Sequence, residues 1–233
     1  MKFADAHIHM ADGAFGPGYP DISDGDLFFS CSAVPSEWDL PLPETKGDIV
    51  RFCGVHPWYV SEWNASAKDS LTSLLNDDPS MQVGEIGLDS KHPDLGKQVE
   101  AFSEQISIAS DLGRAVNVHN IGCDGETVRL LKQYGKGCRS IILHSFKSDT
   151  SPFAGLDCYY SLNPRILSKS KEHVKELAGK IPTDRLLLET DYPFAPRGFA
   201  TMGGFITELA DILGIEPQEL ASRTLENARR AIQ

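Results

Sequence analysis

Eight short apolar runs recur along this chain, at Phe3–His9, Leu27–Cys31, Val50–Gly54, Met81–Gly84, Ala115–His119, Ser140–His144, Tyr159–Leu162 and Leu186–Glu189. Each is too short for a helix, and each suits a strand buried on both faces of a parallel sheet. Helical patterns lie between several of them. The strongest steps by three or four through Leu95, Val99, Phe102, Ile106, Ala109 and Leu112, and Gly113 stands where such a helix should end. Weaker patterns cover Ala65–Asn76, Glu126–Tyr134 and Ser170–Ala178. Two more close the chain, one through Phe205, Leu209 and Ile212, the other starting at Pro217 and running through Leu220, Leu225, Ala228 and Ile232. Pro217 fits a first helical turn, where its missing N–H costs nothing. Alternating strands and helices predict a parallel sheet, and a strand count of eight favours its closure into a (β/α)₈ barrel of the TIM type.

A barrel of this kind typically needs about 250 residues. With 233 residues, 41% of them hydrophobic, the chain can bury a full core as one domain over residues 1–233, with little room for insertions. The Gly/Pro-rich stretch Gly13–Pro20 reads as a loop at the barrel mouth. No stretch approaches the roughly 20 apolar residues that span a bilayer, and the N-terminus runs straight into Phe3, Asp5, His7 and His9 without an apolar leader. Five scattered cysteines, with no CxxC pair, read as reduced thiols of a cytoplasmic protein rather than a disulfide framework or zinc site. The net charge of −11 excludes a broad basic face for coating duplex nucleic acid. It leaves room for a local cluster of ions and a few cations that holds one or two phosphates.

Asp5, His7 and His9 alternate along the first strand, so all three project to one side. An isolated His-x-His is more often a pair of hydrogen-bonded core histidines than a metal site. Other strand ends change that balance. Glu85 ends the fourth strand, His119 the fifth and His144 the sixth, and Asp191 follows the eighth. A barrel brings all strand carboxyl ends to one face, where active sites sit. Buried carboxylates without partners are costly, so five strands delivering imidazoles and carboxylates to one face point to metal binding. This donor set suits zinc or manganese and admits magnesium. Glu85 lies between two half-sites and could bridge two ions, which in such centres sit about 3.5–4 Å apart. Asp191 is the candidate to orient a water and take its proton.

The runs Asp5-Ala6-His7-Ile8-His9, Gly54-Val55-His56-Pro57, Gly84-Glu85-Ile86-Gly87-Leu88-Asp89, His144-Ser145-Phe146 and Leu187-Leu188-Glu189-Thr190-Asp191, with His119 after a strand, resemble the TatD family of metal-dependent deoxyribonucleases. That family belongs to the amidohydrolase-like barrels, and the closing Glu226-Asn227-Ala228-Arg229-Arg230 is similar to its Asn-containing last helix. The resemblance spans nearly the whole chain in the family's order. It implies that His7, His9, Glu85 and Asp191 hold one divalent ion and that Glu85, His119 and His144 hold a second. It also implies phosphodiester hydrolysis by metal-activated water, as an exonuclease on DNA.

The surroundings of these residues depart from the family's pattern. Asn120 and Ile121 follow His119 where the family has an arginine two positions on, and Ser90-Lys91-His92 replace its aromatics after Gly-Leu-Asp. Ser145-Phe146-Lys147-Ser148 follow His144, and Asn163-Pro164-Arg165 stand where the family tends to have Ser and Gly. Lys147, Arg165, Lys169 and Arg197 are candidates for replacement phosphate contacts, each also readable as ordinary surface charge. His56 reads either as a hydrogen-bond donor to substrate, with Trp58 as an apolar or stacking wall, or as a structural histidine at a turn stiffened by Pro57. His92 and His173 read as surface residues. These departures and the acidic charge leave a second function open, hydrolysis of a small ester, amide or phosphomonoester on the same ions. A third, a non-catalytic metal-stabilised barrel that binds a partner, has against it the presence of every proposed ligand together with Asp191.

Overall fold

The eight apolar runs form eight strands: β1 (Ala4–Ile8), β2 (Leu27–Cys31), β3 (Asp48–Cys53), β4 (Gln82–Asp89), β5 (Val116–Ile121), β6 (Ile141–Leu143), β7 (Cys158–Leu162) and β8 (Leu186–Leu188). They lie in sequence order in one sheet, each parallel to the next. The chain just past β8 pairs back onto β1 and closes the barrel. Asp191 N donates to His7 O and His9 N to Tyr192 O, both at 2.9 Å. The computed structural model describes residues 1–11, 23–194 and 201–233. The expected loop at Gly13–Pro20 and the candidate Arg197 lie outside them.

The crossover helices are α1 (Ala65–Asp77), α2 (Leu95–Asp111), α3 (Asp124–Tyr134) and α4 (Lys171–Gly179), and α5 (Met202–Leu213) and α6 (Pro217–Ile232) follow β8. The helical layer is thinner than strict alternation implies. Between β2 and β3, and again between β6 and β7, the chain makes only a single 3-10 turn, at Pro35–Glu37 and Ser151–Phe153. Pro35, Pro41 and Pro43 in the first connection, and Pro152 with Gly155 in the second, deny a helix its backbone donors or its conformational economy. Trp38 fills the first gap instead, buried, with Nε1 donating to Gly54 O at 3.1 Å.

Two strands run further than their apolar runs. β4 continues to Asp89 and β5 to Ile121, so Glu85 and His119 sit within strands rather than at their ends. The glycines of the Gly-Glu-Ile-Gly run look like a break but serve close approach. A Cβ on Gly84 would lie 2.7 Å from Asn117 Cβ, and one on Gly87 only 1.9 Å from His119 O.

Helix contacts then fix the strand ends. Within the apolar stripe of α2, the buried Gln105 accepts from Val55 N at 2.7 Å and Gln98 from Asp89 N at 2.8 Å, so side-chain amides hold the chain just past β3 and the end of β4. In α6, the buried Asn227 donates to Leu186 O at 2.8 Å and Thr183 O at 2.9 Å, pinning that helix to the start of β8. Leu225, Ala228 and Ala231 of the same helix share a buried cluster with Ala4, Ala6 and Leu187. No helix among the described residues is long and apolar enough to cross a membrane.

Candidate active site

Glu85 stands at the centre of the strand-end cluster, and its two oxygens serve different groups. Oε2 lies 3.3 Å from His7 Nε2 and 3.4 Å from His9 Nε2. Those nitrogens are 3.1 Å apart, and Asp191 Oδ1 stands 3.8 and 3.9 Å from them. Oε1 lies 2.8 Å from His119 Nδ1, 3.0 Å from His144 Nε2 and 3.4 Å from His56 Nε2. Donors about 2.0–2.1 Å from a tetrahedral zinc would themselves stand roughly 3.3 Å apart. The separations run from 3.1 to 3.9 Å in the first group and from 2.8 to 3.4 Å in the second, which brackets that spacing, and all seven side chains are buried.

Hydrogen bonds around the rim of the cluster set which imidazole nitrogens are bare. Asn117 Nδ2 donates to Ala6 O at 2.9 Å, which leaves Oδ1 as the acceptor for His7 Nδ1 at 3.0 Å. A neutral His7 therefore carries its proton on Nδ1 and turns a lone pair on Nε2 to Glu85. His144 is held the same way, with Nδ1 3.2 Å from Glu189 Oε1, an oxygen that also accepts from Ser145 N at 2.9 Å. His56 is the reverse case. Its Nδ1 accepts from Trp58 N at 3.1 Å, so the neutral ring carries its proton on Nε2. His7 and His144 thus face the cluster as acceptors suited to a cation, and His56 faces it as a donor. His119 Nε2 lies 3.5 Å from Asp89 Oδ2 and has no hydrogen-bond partner.

Burial works to raise the Glu85 pKa, but the charges of His56, His144 and His7 and the His119 hydrogen bond hold it well below the usual carboxylate range. At His144, burial and neighbouring His7 oppose the imidazolium, yet Glu85 and Glu189 outweigh them and push its pKa up to about 9. Burial pulls the His56 pKa below its ordinary value. A concentrated, dehydrated set of carboxylates and imidazoles with bare lone pairs is the environment a divalent cation stabilises.

Asp191 occupies a left-handed backbone conformation, φ +57°, which non-glycine residues rarely adopt. Its N–H closes the barrel on His7 O, and its Oδ2 accepts from Arg165 Nη1 at 2.6 Å. Arg165 also donates to Phe194 O at 2.5 Å. The cluster opens into a cleft of about 750 Å³ whose wall includes Trp58, Tyr59, Lys147, Arg165 and Phe194. Lys169, by contrast, is exposed just past the 3-10 turn Pro164–Ser168 and does not line this cleft. His173 is exposed on α4. His92 is half-buried rather than a free surface residue and stacks on Trp58, with ring centroids 4.3 Å apart.

Sequence reasoning missed Asn117, Glu189 and Asp89, the groups that contact the ring nitrogens. A signal was present for two of them. Asn117 stands two residues before the proposed ligand His119 within β5, the spacing that keeps neighbours on one face of a strand, and Glu189 directly follows β8 at its carboxyl end.

The chain matches the model of a family described as TatD-related DNases over residues 27–233. The 3′-5′ ssDNA/RNA exonuclease TatD of Erwinia tasmaniensis is 27% identical over 225 residues, covering 88% of this chain and 87% of that protein. YabD of Bacillus subtilis, described as an uncharacterized metal-dependent hydrolase, is 31% identical over 206 residues, covering 82% of this chain and 80% of its own. The crystal structure of YJJV, a TatD homolog from Escherichia coli K12, shares the fold with a TM-score of 0.79 at 21% identity, covering 99% of this chain and 97% of that one.

Proposed function

The chain belongs to the family of TatD-related DNases, and from that premise we propose that it is a metal-dependent nuclease, hydrolysing phosphodiester bonds of DNA as an exonuclease. The observation that carries this reading is the division of Glu85, with Oε2 among His7, His9 and Asp191 and Oε1 among His119 and His144. These two groups are the proposed seats of two divalent ions, magnesium, manganese or zinc. When bound, such ions supply Lewis acidity and lower the pKa of a coordinated water.

The protein's own groups then have distinct tasks. Asp191 has one oxygen toward His7 and His9 and the other on Arg165, and it orients the attacking water and takes its proton. His56 offers its Nε2–H to a phosphoryl oxygen, and Arg165 and Lys147 at the cleft wall meet the backbone phosphates. Lys169 keeps only the role of a peripheral phosphate contact, since it stands outside the cleft wall. Five free cysteines, four of them buried, support a reducing location, and we place the enzyme in the cytoplasm.

A second reading, hydrolysis of a small ester, amide or phosphomonoester, is favoured by one local fact. Asn120, near where the family's arginine would supply a phosphate contact, is engaged elsewhere, its Nδ2 on Asp124 at 2.6 Å and its Oδ1 accepting from Thr127 at 3.1 Å. The deciding experiment incubates a labelled single-stranded DNA oligonucleotide with the protein in Mg²⁺ or Mn²⁺, with EDTA, and beside Asp191→Asn. Metal-dependent shortening that the variant lacks supports the nuclease. An intact oligonucleotide with metal demonstrably bound transfers the reading to a small substrate.

A further inference from the structure

We infer that Trp58 is a stacking platform for an unpaired nucleobase of the substrate on the wall of the cleft. The inference rests on the nuclease reading and adds to it the residue that holds the substrate's bases.

Trp58 is an uncommon surface tryptophan. The residue is 51% exposed on the cleft wall, yet its ring is fixed from several directions. One ring face lies on His92, with centroids 4.3 Å apart and planes at 21°. The indole Nε1 donates to Asp89 Oδ2 at 2.7 Å, and the ring meets His56 edge-on at 5.2 Å. The backbone is held too, in the 3-10 turn Pro57–Glu62, where Trp58 N donates to His56 Nδ1. A large apolar ring held still while half exposed is preorganised, so a ligand that stacks on it pays little in ordering.

The polar handle also places the ring beside the chemistry. Asp89 receives the indole N–H and lies 3.5 Å from His119 Nε2, while His56, against which the indole rests, lies 3.2 Å from His119 Nδ1. A base on this ring would sit on the side of the cleft where Asp89 and His56 meet His119.

Phosphate contacts from Lys147 and Arg165 hold the backbone but not the bases. The chain carries a net −11, and the described cations on the cleft wall, Lys147 and Arg165, face Glu37, Glu85 and Asp191 on the same wall. Attraction of a polyanion by side chains is therefore slight. Stacking on an aromatic is the general way to hold an unpaired base, and it tolerates any base because every base has a π-face. Bases within a duplex are already stacked on both faces.

The test is a binding cycle between protein and probe, read by fluorescence anisotropy in Mn²⁺. The probe is a 5′-fluorescein (dT)₈ with phosphorothioate linkages to resist cleavage, compared with versions in which an abasic tetrahydrofuran residue replaces each of the last three nucleotides in turn. The wild type should bind the intact probe about tenfold more tightly than one of the abasic probes, a stacking effect of the size seen for single bases. Trp58→Ala should lose that factor on the intact probe and no longer distinguish the two, and Trp58→Phe should keep most of it. If Trp58→Ala weakens intact and abasic probes equally, the ring only braces Asp89 and the platform is wrong. Equal binding of all probes by the wild type, or no binding, overturns it as well. Failure of the nuclease reading would look different: an ordinary phosphodiester oligonucleotide left uncut by metal-loaded wild type, whatever the cycle shows.

Discussion

Asn117 reaches from β5 to the histidine of β1, placing Oδ1 3.0 Å from His7 Nδ1 while its own Nδ2 is committed to Ala6 O. The amide cannot flip without setting Oδ1 against the Ala6 carbonyl oxygen, so it dictates which His7 nitrogen is bare. Asn117→Leu keeps the volume and removes that instruction. Groups in this position around metal-bound histidines are typically worth about 10- to 100-fold in metal affinity. Titration calorimetry with Mn²⁺ should show a loss of that size at one site. Unchanged affinity in a folded variant would mean that His7 is not a ligand or that its tautomer is set elsewhere.

Arg165 makes its own separable prediction. Its fork spans Asp191 Oδ2 and Phe194 O, a geometry that lysine cannot copy. If the guanidinium meets substrate phosphate, Arg165→Ala and Arg165→Lys should both raise KM for oligonucleotide by about tenfold, the value of one charge-assisted contact. A fall in kcat with KM unmoved would assign Arg165 to tuning Asp191 instead. The ion pair is 42% exposed on the arginine side, so stability should change little.

The strands and the convergence of His7, His9, Glu85, His119, His144 and Asp191 were legible in the sequence for a common reason: each apolar run delivers its polar group at the carboxyl end, and barrel closure does the rest. What stayed hidden depends on contacts across closure. Asn117 looks like an interruption of an apolar run until β1 comes within its reach, and the part of Glu189 shows only where it meets His144 and Ser145. His92 seemed a surface residue because its partner Trp58 is 34 positions away, on a loop whose path no periodicity encodes. The connections after β2 and β6 show no helical pattern in the sequence, and the prolines there agree with the single 3-10 turns that form.

With the ions chelated, stability should depend on pH in a defined direction. The His144 pKa is raised from 6.5 to about 9, so its contribution is fully present below 6.5 and is lost as pH rises through 9. Glu85 is depressed from 4.5, so its contribution is present above 4.5 and is lost as pH falls through its folded value. The melting temperature in EDTA should therefore fall between pH 6.5 and 9. Metal needs neutral imidazole, so Mn²⁺ should stabilise increasingly over the same range and release protons on binding. A flat EDTA profile with no proton release would remove the charged His144–Glu85–Glu189 arrangement from the apo protein.

Gly87 carries the last prediction, because it separates backbone freedom from close approach. Its φ is +148°, and it is paired with His119 across the β4–β5 ladder. A Cβ there would lie 1.9 Å from His119 O and 2.8 Å from His119 C, backbone atoms with no flexible end to yield. Gly113 offers the matched control, with φ +63° and nothing within 4 Å of its Cβ position. Gly113→Ala should cost about 1–2 kcal/mol, the ordinary penalty for a left-handed non-glycine residue. Gly87→Ala must also push β4 from β5, so urea denaturation should show a loss of about 3 kcal/mol or more. Where the variant still folds, His119 has moved with its backbone, and metal affinity at the Glu85 Oε1 group should fall while that at the His7–His9 group is less affected. Equal costs for the two alanines would mean that the strands part easily at this point and that His119 is not held by its neighbour's missing side chain.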